Sequence, residues 1–246
     1  PASTYGGWIT MEKLQPEHAH SLLKYIRRKY KDLILQENPY DPLISDIPID
    51  KARNVGTSSI DLSQGIESVI KNSKYYHRKN LKTAEKSGVT IQLAEDFSKW
   101  LEYYDVYKES IDRWKDRKIF SGVKYDLRLF EILHQLDPSL RKLWIADLGG
   151  KVIAGILCFY WNKHAVAWNG AGLSGYFHCR PNNMLYQCAI EHACKNNYHW
   201  FDCNPSGGLE GVSNFKQGLG AKMLQARIID QRSFTRKIVA LARFQK

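Results

Sequence analysis

The chain has 246 residues, 43% hydrophobic and 12% aromatic, with 36 Lys and Arg against 25 Asp and Glu for a formal charge of +11. That apolar and aromatic content excludes a disordered chain, and no apolar run reaches the roughly 18 residues needed to span a bilayer. The charge favours polyanionic partners (RNA, nucleotide-diphosphate compounds or anionic lipid surfaces) without choosing among them.

Tyr5 to Thr10 (Y-G-G-W-I-T) reads as a short strand. Leu22, Leu23 and Ile26 give Pro16 to Tyr30 an apolar side, which predicts a helix. A strand follows at Leu33 to Gln36. Asn38 to Asn54 holds Pro39, Pro42 and Pro48 and is expected to be a loop. Ser58 to Leu62 is the next strand. Ser63 is the expected N-cap of one long helix, Gln64 to Ser87, which Gly88 ends. Val89 to Leu93 returns as a strand. Helical patterns cover Ser98 to Arg117 and Tyr125 to Leu136, with Pro138 beyond.

The texture changes at Arg141. Leu143 to Leu148 and Val152 to Trp161 are apolar runs joined by Gly149-Gly150, a hairpin whose turn accepts positive φ. Strands are predicted at Ala165 to Gly170, Trp200 to Cys203 and Met223 to Ile229, and a helix at Asn183 to Asn196. Asn182 is the expected cap of that helix. Ser233 to Lys246 reads as an amphipathic basic helix with Phe234, Ile238 and Leu241 on one side. Docking on the protein's own core is its plainer reading; contact with an anionic membrane surface is the sharper one. The fold class is therefore α+β, or mixed α/β.

The five cysteines form no C-x-x-C pair and read as buried, reduced thiols. His164, His178 and His192 lack the i, i+4 spacing of metal ligands, so no metal site is expected; His192 reads as a core residue. A cytoplasmic location follows from this pattern, with the inner membrane face as the alternative.

Two segments carry candidate chemistry. Lys71, Lys74, Arg78 and Lys82 are spaced three or four apart and would line one helix face, flanked by Lys79 and Lys86, with Glu85 as the single acid. Like charges so placed oppose one another. An anionic partner would relieve them; a solvated helix face is the plainer account. The second segment ends the predicted strand at Asp202, runs through Asn204, Ser206 and the flexible Gly207-Gly208, and reaches a short helix with Phe215 and Lys216. Strand ends at a sheet rim are where α/β folds keep their chemistry. Asp202 could take a proton from an attacking amine or cap the following turn, and the second role is favoured. Lys216 could stabilise an oxyanion or pack its stem and solvate its head.

Several segments together resemble the FemABX aminoacyltransferases and their relatives within the GNAT acyltransferase superfamily. They are Tyr5-Gly6-Gly7, the run from His77 through Arg78 and Asn80 to Gly88-Val89, Gly150 to Gly155, Arg180-Pro181-Asn182 with Leu185, Phe201-Asp202, and Phe215-Lys216 with Gly220. The resemblance implies a GNAT-like fold of two related lobes, the first incomplete. It would place a partial first lobe at 1–95 and a second at 96–246, the latter with a helical block at 98–137, a sheet core at 141–230 and a terminal helix at 233–246. It implies an N-acyltransferase acting on an amine of a cell-envelope or polysaccharide precursor. Arg78, with Asn80 and Lys82, would grip the acceptor's diphosphate. Arg180, Asn182, Asn204 and Ser206 would line the cleft, Phe215 would stack on a donor base, and Lys216 would meet the acyl carbonyl.

The implied donor is an activated acyl group, aminoacyl-tRNA or, as the alternative, acyl-CoA, with no tightly bound cofactor. Gly172 to Pro181 lacks the R/Q-x-x-G-x-G/A loop whose amides bind a CoA diphosphate, and Pro181 removes one amide. That favours the tRNA-linked donor. Two rival readings are a non-catalytic binder of RNA or nucleotide sugars on a degenerate lobe, and a CoA-dependent acetyltransferase.

Overall fold

The periodicities above resolve into sixteen elements in a computed structural model that describes residues 5, 12, 14–41, 43, 47, 52–116 and 124–232. The predicted strand at Tyr5 to Thr10 and the basic helix from Ser233 lie outside the described residues. The chain divides into two compact units, Ser58–Lys222 and a second made of Pro1–Thr57 with Met223–Lys246. This division does not coincide with the expected boundary at residue 95, because elements on both sides of that position share one sheet.

In the unit formed by the two chain ends, α1 (Pro16–Lys29) starts on a proline, whose missing N–H costs nothing at a first helical turn. It buries Ala19 and Leu23 against Ile47 and Ile229. Strand β1 (Ile34–Gln36) pairs antiparallel with β8 (Lys222–Asp230), Leu35 opposite Ile229. The buried Glu37 carboxylate accepts from Arg227, whose Nη1 also donates to the Ile47 carbonyl at 2.8 Å.

The larger unit is a sheet covered on both faces. Strand β2 (Ala52–Asp61) enters it with its last residues. Then follow α2 (Gly65–Asn72), α3 (Tyr75–Lys86), β3 (Thr90–Leu93), α4 (Phe97–Asp116), α5 (Leu127–His134), β4 (Arg141–Leu148), β5 (Lys151–Trp161) and β6 (His164–Gly172). A 3-10 turn at Ser174–Cys179 leads to α6 (Pro181–Lys195), β7 (Trp200–Asp202) and α7 (Glu210–Gly218). The strand order within the unit is β2-β7-β6-β5-β4-β3, antiparallel throughout except for β6 and β7.

The period-two alternation of a strand sorts β4 and β5 between two cores. Leu143, Ile145 and Leu157 meet Trp100, Tyr103, Tyr107 and Phe130 of α4 and α5. Ala146, Ile156, Cys158 and Tyr160 meet Val69, Ala84, Leu185 and Ala189 of α2, α3 and α6. Gly149 and Gly150 take φ of 63° and 86°, as the hairpin turn requires.

Four sequence-based expectations are corrected. Strand β2 begins at Ala52, inside the stretch expected to be a loop. Ser63 does not cap α2: Gln64 holds that position without a side-chain bond, and the Ser63 N–H donates to Asp61. The single helix 64–87 is two helices. The Ser73 hydroxyl donates to the Ile70 carbonyl at 2.7 Å, competing with helix continuation, and the Lys74 N–H leaves the ladder for the Gly218 carbonyl at 2.9 Å. Helix α6 is capped by Arg180 in the left-handed region, φ 56°, rather than by Asn182.

Candidate functional site

The parallel pair ends early. Its register is His164 opposite Trp200, Ala165 opposite Phe201 and Val166 opposite Asp202, after which β7 stops while β6 runs on to Gly172. One further link follows: Asn204 Nδ2 donates to the Ala167 carbonyl at 2.7 Å. Beyond it the two chains diverge, and β6 continues with no ladder partner on that side among the described residues. The result is a notch between formerly paired strands, where the β6 backbone must find partners other than a strand.

Helix α4 braces β6 at the notch. The Tyr103 hydroxyl donates to Asn169 Oδ1 at 2.6 Å. Ser110 Oγ exchanges hydrogen bonds with both the N–H and the carbonyl of Gly172, each at 3.2 Å. Arg113 Nη1 donates to the same carbonyl at 3.1 Å while its guanidinium lies over the Phe177 ring. Asn182, half-buried at the start of α6, also stands beside Gly172, since a Cβ there would lie 3.5 Å from its Oδ1.

The opposite wall is the loop after β7. Asp202 is fully buried and accepts the Asn204 N–H at 2.6 Å, turning the chain so that Asn204 adopts φ 63°. Lys216, only 5% exposed, donates from Nζ to the carbonyls of Asn204 at 2.7 Å and Pro205 at 3.0 Å. An ammonium has three donors, so one remains without a partner among the described residues. Burial lowers the Lys216 pKa; neighbouring Cys203 and Asp202 act in the opposite sense. The buried Cys203 thiol is pushed up to about 12, chiefly by desolvation, and is inert as a nucleophile. Ser206 Oγ is buried and has no hydrogen-bond partner among the described residues, an orphan of the kind a ligand or water satisfies.

Asp202, Asn204 and Lys216 are thus brought together, with Ser206 next in the loop. Phe215 is half-buried and meets the Tyr186 ring edge-on at 5.1 Å, packed against the core. Arg180 is exposed at the head of α6.

The cations of α3 are arranged differently from the expected stripe. The helix break takes Lys71 and Lys74 off the continuous face. Arg78 Nη1 turns back onto the Ser73 carbonyl and reaches the Ile70 carbonyl at 3.4 Å, closing the end of α2. Lys82 is exposed and Asn80 half-buried on the same helix. The Tyr76 hydroxyl donates to the Asn214 carbonyl at 2.6 Å, tying the start of α3 to α7.

One group escaped sequence reasoning. His77 is 1% exposed and sits in a relay: Asn183 Nδ2 donates to its Nδ1 at 2.9 Å, and its Nε2 meets Gln187 Oε1 at 3.2 Å. The Gln187 amide then donates to Glu191 at 2.9 Å. These partners define a neutral imidazole with the proton on Nε2. Burial, countered by the Gln187 bond and reinforced by Arg78, lowers its pKa. Its signals were its place at the head of the run from His77 to Val89 and its spacing of one heptad from buried Ala84.

A parallel strand pair that opens at its end, in a sheet backed by helices on both faces, fits an acyltransferase domain. Residues 71–217 match the family described as acetyltransferase (GNAT) domain, and the chain belongs to it. No curated protein matches the chain. Among solved structures, FemX is similar at a TM-score of 0.58 and 12% identity over 72% of this chain, which spans 62% of the FemX chain. The C-terminal domain of a putative lysylphosphatidylglycerol synthetase from Agrobacterium fabrum gives 0.59 and 13% identity over 92% of this chain and 76% of that one. L-PGS from Bacillus licheniformis gives 0.55 and 12% over 94% of this chain and 77% of that one. At these identities the likeness concerns the fold. No helix among the described residues is long and apolar enough to cross a membrane.

Proposed function

We propose that this acyltransferase is of the FemAB type and moves an aminoacyl group from tRNA to an amine on a cell-envelope or polysaccharide precursor. The amine nitrogen attacks the ester carbonyl carbon. The C–O bond to the tRNA ribose breaks, an amide forms, and the amine's proton leaves with the ribose hydroxyl. The third Lys216 donor meets the oxyanion, where a fixed charge in a dry cleft acts most strongly. Asp202 shapes the loop that holds Lys216, and the free edge of β6 receives the acyl chain. The α3 cations Arg78 and Lys82, with Asn80, face the acceptor's phosphates.

The observation that carries the choice of donor is the start of α6. Helix N-termini bind diphosphates through unpaired amides. Here the Tyr176 and Arg180 amides donate to the Leu173 and Phe177 carbonyls, the Asn183 amide donates to Arg180, and Pro181 has none. Likeness in fold to FemX, to the putative lysylphosphatidylglycerol synthetase domain and to L-PGS supports the same reading. A CoA-dependent acetyltransferase is the second reading, favoured by the family description itself.

The test supplies the protein with a UDP-linked sugar-peptide acceptor and either a mixture of aminoacyl-tRNAs or acetyl-CoA. Mass spectrometry should show the acceptor gaining an aminoacyl residue from tRNA. An acetyl gain from CoA instead overturns the donor, and no gain with either overturns the reading for this acceptor class.

A further inference from the structure

Helix α1 carries cations that the acyl-transfer reading does not use. His20, Lys24, Arg27 and Arg28 recur at helical spacing and line one open groove of about 420 Å³. Leu23 and Ile47 form its apolar lining and Gln231 its polar wall. Part of this charge has a plain explanation: Arg27, Arg28 and Lys29 stand in the last helical turn, where cations complement the helix dipole. Lys24 and His20 lie further back and gain nothing from the dipole. Glu17 is the acid of the first turn, and none of Lys24, Arg27 and Arg28 forms an ion pair among the described residues.

The groove is also partly fixed in shape. Arg27 Nε donates to Gln231 Oε1 at 2.5 Å, and the Gln231 amide donates back to the carbonyls of Arg27 at 3.1 Å and Tyr30 at 3.4 Å. That ring holds the guanidinium in place through Nε and leaves both Nη groups without partners among the described residues. A pre-positioned guanidinium fork suits phosphate oxygens better than a mobile ammonium does. Lys24 and Arg28, one turn apart, repel each other until an anion lies between them.

We propose that this groove binds a phosphate ester, held by Arg27 with Lys24 and Arg28, its carbon portion against Leu23 and Ile47. The ester has two sources, an anionic lipid headgroup and a soluble phosphorylated sugar, and each has its own probe. Vesicles of phosphatidylcholine with and without phosphatidylglycerol serve the first, in a sedimentation assay. UDP-N-acetylglucosamine, followed by calorimetry, serves the second.

The test variant is Lys24→Glu with Arg28→Glu in the full chain, with Lys24→Gln plus Arg28→Gln as a milder form. The control is Lys115→Glu with Lys195→Glu, which makes the same change in net charge at exposed positions on α4 and α6. At least a tenfold loss of binding is expected in the groove variant, a smaller loss in the neutral form and little in the control. Loss confined to vesicles assigns the lipid source, and loss confined to the nucleotide sugar assigns the soluble one. Equal losses in groove and control variants, or no binding of either probe by the parent, overturn the proposal.

Discussion

Lys216→Met isolates the ammonium, since methionine keeps most of the stem's packing. Two charge-assisted hydrogen bonds are lost, each contributing roughly 1.5–3 kcal/mol net. Against this, the variant no longer desolvates a charge, a relief of several kcal/mol for a buried ion. The carbonyls left behind are only partly orphaned: Asn204 still accepts the Ser58 N–H at 3.4 Å, and Pro205 is exposed to water. The balance is a destabilisation of about 1–3 kcal/mol, or a Tm lower by about 2–12 °C at this chain size. Urea denaturation followed by tryptophan fluorescence measures the first figure, and a calorimetric melt the second. On the proposed reading, aminoacyl transfer should fall at least a hundredfold, on the order of a lost oxyanion donor. A variant as stable as the parent would refute the structural part, because the loop would then stand without its latch. Undiminished turnover would refute the chemical part.

Gly155→Ala places a Cβ 2.5 Å from Tyr103 Cδ2 and 3.1 Å from the Trp144 carbonyl. Tyr103 is fully buried and tethered to Asn169, so the clash should cost about 1–3 kcal/mol, read as a shifted urea midpoint. Asn204→Val removes the bond to Ala167 and forces a β-branched residue into φ 63°, and should lower both stability and turnover. Asn204→Gly should recover most of the stability but not the turnover. His77 should make stability fall in acid. Its folded pKa lies below the ordinary 6.5, so the unfolded chain binds the extra proton. Its contribution is complete above about pH 6.5 and declines below it, by at most about 1.4 kcal/mol per pH unit. His164 and His192 share this direction. Urea midpoints between about pH 7 and 5 should therefore fall less steeply in His77→Gln, and an unchanged slope would remove His77 from the account.

Elements fixed by local pattern were legible from residues alone. The amphipathic repeat gave α1 and α4, and two glycines gave the β4–β5 turn. What escaped notice was made by distant partners. Between Asn72 and Tyr75 only Ser73 hints at a break; the close approach of Gly220 to the Asn72 carbonyl and the bond from Lys74 to Gly218 complete it. The early start of β2 is hidden by its neighbouring prolines. The Asp202–Asn204–Lys216 cluster was visible because a strand end and a nearby helix meet at a rim. His77 was not, since Asn183 and Gln187 lie 106 and 110 residues further along the chain. Arg78 stood out by its charge, yet its first bonds go to the carbonyls of its own connecting turn.

The splint that α4 applies to β6 settles how the gap beside it behaves. Tyr103, Ser110 and Arg113 grip Asn169 and Gly172 from behind, so the strand cannot swing across to rejoin its parallel neighbour. On the proposed reading, cargo bound there would meet a berth already spread, and no binding energy would go into prying it apart.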